Sequence, residues 1–114
     1  MRKHMIEIAA YEVATQIRTV EDRIDEALGE IAELQARVMR ANAIAGVGVG
    51  PVHGVLEQLA AAVMGLVETR GSIVACHAAL ADAKGKVPGL RTVAWGDGQE
   101  CPPKEAANPL RVVA

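Results

Sequence analysis

Two basic side chains, Arg70 and His77, fall where a helix of this composition calls for apolar residues. They occupy two successive a positions of a heptad frame, and folding the chain back about the glycines at 46–50 brings Arg70 opposite Asp25 and Glu21, and His77 opposite Arg18. The chemistry open to them is a polar core site. The simpler role is an ion-pairing device that fixes the register of two helices, because an uncompensated charge in a helix seam penalises every slipped alignment. The second role is favoured.

Other chemistries are weaker. Cys76, His77, His53 and Cys101 are soft zinc ligands by type. Adjacent helical residues, however, point about 100° apart, and neither Cys-x-x-Cys nor His-x-x-x-His spacing occurs. No metal and no other cofactor is expected, and Cys76 reads as a small apolar filler. The carboxylates Glu21, Asp22, Asp25, Glu26, Glu30 and Glu33 lack the Glu-x-x-His motifs of a di-iron bundle, and are read as a solvated outer face with i,i+4 partners such as Glu33 and Arg37. The Gly-x-Gly run at 46–50 lacks the Lys and Ser/Thr of a phosphate loop and is read as a chain reversal. No nucleophile with an orienting base is visible, so no catalytic residue is assigned and the chain is read as not an enzyme.

The elements that position these groups are written in the hydrophobic period. Ile6, Ala10, Val13, Ile17, Val20, Ile24, Ala27, Ile31, Leu34, Val38 and Ala41 alternate steps of four and three without a miss. Such a pattern predicts one long helix over about 6–43 with a narrow apolar seam. A turn over about 44–51 then ends on Pro51, suited to the first turn of a second helix. Val52, Leu56, Leu59, Val63, Leu66, Arg70, Ile73, His77 and Leu80 continue the same period and predict that helix over about 52–83.

The second helix differs from the first because its flanking sites Val55, Ala60, Ala62, Val67, Val74 and Ala81 are apolar too. One neighbouring helix cannot cover so wide a face, and an apolar patch of that size marks an interface. The expected fold is therefore all-α: a long antiparallel helical hairpin over 1–84, dimerising into a four-helix bundle, with an extended or partly disordered C-terminal tail over 85–114. The interface is assigned to Val55, Leu59, Val63, Leu66, Val67, Ile73 and Val74, and the polar core to Arg70 and His77. Leu90, Val93 and Trp95 are the large apolar groups available to anchor the tail.

Composition agrees. Apolar residues make up 51% of the 114, yet there is no Phe, one Tyr and one Trp, so the core vocabulary is the small aliphatic one of helix-on-helix packing. A net charge of −2 supplies no basic field for nucleic acid. The most apolar run, 43–67, is broken by glycines, Pro51, His53 and Glu57, and no membrane span is expected. Cysteine usage and the absence of a secretory pattern suggest a reduced, cytoplasmic protein. The function expected is a homodimeric interaction or scaffold module, offering its acidic helix face or its tail to an unknown protein partner. The alternative is a bundle that binds a small ligand or metal through polar residues of the second helix.

Overall fold

A computed structural model describes residues 2–90. Two helices, α1 (Arg2–Ala45) and α2 (Gly50–Lys84), pack against each other as an antiparallel hairpin with no strand among the described residues. At about 1.5 Å per residue the 44 residues of α1 extend roughly 66 Å and the 35 of α2 roughly 52 Å. α1 starts four residues before the expected boundary, because Arg2, Lys3, His4 and Met5 contain no helix breaker and the helix runs on through them.

The reversal takes four residues, 46–49. The Gly46 N–H donates to the Asn42 carbonyl at 2.9 Å, and Gly46 and Gly48 hold φ of 66° and 86°. Those are left-handed values that an L side chain resists, which is why glycine serves here and why α1 stops. Val49 gives α2 no side-chain cap, and Pro51 in its first turn supplies the preset φ instead.

Along α1 most of the seam residues are covered, while Val13, Leu34 and Ala41 are exposed. Ala14, Ile17 and Ile24 are buried, with Ile6, Ala10, Val20, Ala27, Ile31 and Val38 half-buried. The facing row on α2, Val52, Leu56, Leu59, Val63, Leu66 and Ile73, is half-buried. Two threonines inside the helices are satisfied locally: the Thr15 and Thr69 hydroxyls donate to the Tyr11 and Gly65 carbonyls, each at 2.9 Å.

After α2 the chain makes tight turns rather than extending at once. Gly85 N–H reaches the Asp82 carbonyl at 3.1 Å, Lys86 N–H reaches Ala83, and Leu90 N–H reaches Val87. These turns carry Leu90 back onto the hairpin, where it is the most deeply buried apolar residue at 5% exposure. Val93 and Trp95, the other expected anchors, lie outside the described residues.

The glycines and Pro51 that interrupt the apolar run fall in the turn and the first turns of α2, and the helix continues well beyond them. As a result α2 is long and apolar enough, by length and composition, to cross a membrane, with a mean hydropathy of 1.4 over the relevant stretch.

Candidate functional site

Three features of the hairpin could carry function: the polar pairs between the helices, a cleft at the open end, and the uncovered face of α2.

The polar pairs follow the predicted register in part. Arg70 Nε donates to Asp25 Oδ1 at 2.7 Å, tying the middle of α2 to the middle of α1. That hydrogen bond, then the charge of Asp25, raises the guanidinium above its ordinary pKa. Arg70 is nevertheless no core residue. Its side chain is 52% exposed and that of Asp25 53%, because a long arginine at the seam's edge carries its head outward to water. The pair positions the helices while contributing little to stability.

His77 is the residue that enters the core, its side chain 10% exposed. Its Nδ1 stands 3.4 Å from both carboxylate oxygens of Glu21, rather than facing Arg18 as the simple pairing of heptads suggested. A helix contacts residues on adjacent turns of its neighbour, and the carboxylate one turn beyond Arg18 takes the contact. Arg18 Nε and Asn42 Oδ1 are buried without a hydrogen-bond partner. On the outer face Glu33 binds Arg37 at 3.0 Å and Arg40 at 3.4 Å, and Arg23 binds Glu26 at 3.0 Å.

The cleft, of about 210 Å³, opens where the amino-terminal half of α1 meets the end of α2. Ala10, Val13, Ala14 and Ile17 form one wall, Leu80 and Ala83 the other, and Val87 and Leu90 its end. His77 and Lys84 are the titratable groups lining it, and both are buried at 8% exposure. Lys84 also closes the last turn of α2, where the helix dipole favours a cation. The sequence held a signal for it: Lys84 is the next a position after Arg70 and His77.

The residues assigned to an interface divide in two. Leu59, Val63, Leu66 and Ile73 lie half-buried in the seam of the hairpin itself. Val55, Val67 and Val74 are 45%, 50% and 53% exposed, and Met64 beside them is 61% exposed. Periodicity alone placed these residues on one broad surface, whereas the hairpin covers only the part that meets α1.

For metal chemistry, no three His, Cys, Asp or Glu side chains converge on one point among the described residues. Cys76 is an exposed free thiol. The chain matches no protein-family model, no curated protein and no solved structure.

Proposed function

We propose that this chain is a non-catalytic interaction module of the cytoplasm, working as a homodimer in which two hairpins close a four-helix bundle. The observation that carries the reading is how little one hairpin buries. Among the described residues no large side chain is fully enclosed, and the buried apolar set is Ala14, Ile17, Ile24 and Leu90. Stability scales with apolar area removed from water, at about 25 cal/mol per Å², and folding must offset about 1 to 2 kcal/mol of backbone entropy per residue. Beyond those four the seam is only half-buried, so one hairpin removes little apolar area for its length, while α2 leaves Val55, Met64, Val67 and Val74 in water. A second hairpin supplies the missing half of the core with the same vocabulary of small aliphatic side chains. The outer face, with its arginine-paired glutamates, remains for other proteins.

Light scattering after size exclusion tests this. The expected result is a helical particle of twice the chain mass of 11.9 kDa. A monomer overturns the reading, as does a chain that floats with neutral lipid vesicles in place of dimerising, since α2 has the length and composition for a membrane.

A second reading rests on the cleft. An apolar hollow of about 210 Å³ with His77 and Lys84 in its wall suits a small amphiphile with an anionic head. An apolar cavity of roughly 150 Å³ is already enough to take a benzene ring. Titration with an anilinonaphthalene sulfonate dye is expected to enhance its fluorescence, and Leu80→Trp, which fills the cleft, should remove the enhancement. Equal enhancement in both proteins removes this reading.

A further inference from the structure

The row of α2 that meets α1 is Leu59, Val63, Leu66, Arg70, Ile73 and His77. One residue along from each lies a second row, Ala60, Met64, Val67, Gly71, Val74 and Ala78, in the same alternation of four and three. It is turned about 100° around the helix from the first. Every member of this second row is exposed. Between Leu59 and His77 the charged residues are Glu68 and Arg70, and neither belongs to it.

Gly71 is the informative member. Glycine inside a helix costs about 1 kcal/mol relative to alanine, so it persists where something forbids a side chain. Nothing in the hairpin does: Gly71 has no left-handed φ, and a Cβ built there meets nothing within 4 Å. Gly54 and Gly65 of α2 are equally open, and Gly71 is the one of the three that falls in this row. Its place in the row is a notch flanked one turn away on either side by Val67 and Val74, knobs of the size such a notch admits.

We propose that a second copy of this chain docks α2 against α2 along this row, antiparallel, about a two-fold axis that crosses the row midway between Val67 and Gly71. This order makes the row complementary to itself. Val67 enters the notch at the partner's Gly71, and the axis repeats the contact on the other side. Met64 lies on the partner's Val74, and Ala60 on the partner's Ala78. The two backbones approach most closely beside the axis, where knob meets notch. The parallel alternative sets notch against notch and Met64 against its own copy, leaving a gap beside an overfilled layer. About this axis the two α2 helices overlap over 54–84, roughly 46 Å long and about 10 Å across, a projected area of about 460 Å² that the curvature of the helix brings toward the roughly 800 Å² per partner of a specific interface. The inference rests on the homodimer reading and adds to it the helix, the face and the direction of the contact.

Single cysteines test it in the full chain carrying Cys76→Ser and Cys101→Ser. In the antiparallel arrangement position 60 faces position 78 of the partner, whereas the two copies of position 60 stand about 27 Å apart, eighteen residues of rise. Mixed Ala60→Cys and Ala78→Cys chains are expected to cross-link with a short bismaleimide, and Ala60→Cys chains alone are not. Gly71→Leu, which raises helix propensity and so cannot act by breaking α2, is expected to weaken the dimer at least tenfold. Linkage of Ala60→Cys to itself, a dimer that links at neither position, or a dimer indifferent to Gly71→Leu overturns this contact while leaving the homodimer standing. A monomeric mass for the unmodified chain overturns both.

Discussion

Ile24→Asp is expected to abolish the folded hairpin, with loss of most helical circular dichroism at 25 °C. Ile24 is 8% exposed and sits in the centre of α1, between Ile17 and Ile31 on the same seam. Deleting a buried isoleucine side chain costs about 2 to 5 kcal/mol from lost transfer energy and the cavity left behind. The introduced carboxylate adds a desolvation cost of several kcal/mol, with Glu21 and Asp25 of the same sign close along the helix. Domains of this size hold about 5 to 15 kcal/mol in all, and one with so small a buried set stands at the lower end of that range. Retention of full helicity and an unchanged melting temperature would show that Ile24 faces water.

The second large effect is expected from Val67→Asp combined with Val74→Asp. Both valines are about half exposed in one hairpin, so a protein that worked as a monomer would tolerate the change with little loss. In the proposed dimer each becomes a buried charge, set against the partner's Gly71 and the partner's Met64. Burying a valine contributes about 1.5 to 3 kcal/mol, and reversing that for two residues per chain moves the dissociation constant by more than a hundredfold. Light scattering should then give the chain mass alone, with a melting temperature that falls along with it, since the folded hairpin and the dimer are linked by mass action. Thr19→Asp, at an exposed site on the outer side of α1, is the control and should leave mass and melting unchanged. A doubly substituted chain that remains dimeric places the contact elsewhere.

The two substitutions act on different parts of the protein, and the distinction between those parts was only partly legible in the sequence. Both helices were written in the alternation of four and three from Ile6 to Leu80, because a helix facing one neighbour must repeat its apolar residues with the helical turn. The reversal was equally legible: left-handed backbone at Gly46 and Gly48 and a proline at 51 leave the chain few alternatives to turning there. The Arg70 contact with Asp25 followed from counting outward from that turn.

Counting did not settle burial. A heptad frame assigns Arg70 and His77 the same position, yet the arginine head reaches solvent and the imidazole stays inside, a difference set by side-chain length and by what the turn after α2 lays over the end of the hairpin. The cleft depends on that same turn. Leu90 lies beyond the last periodic residue, and no rule of spacing predicts that it folds back to close a hollow with Ala10 and Ile17.

By itself, then, the sequence determined that the chain is two long helices joined by a glycine reversal, and that α2 carries more apolar surface than one neighbour covers. Local backbone preference and periodicity suffice for that, since each is a property of residues near one another in the chain. Only the tertiary structure decided which strip of α2 meets α1 and which is left facing water, because that depends on the angle at which four turn residues return the chain. It also decided that His77 enters the core against Glu21 while Arg70 does not, since burial is a property of what lies across a side chain in space.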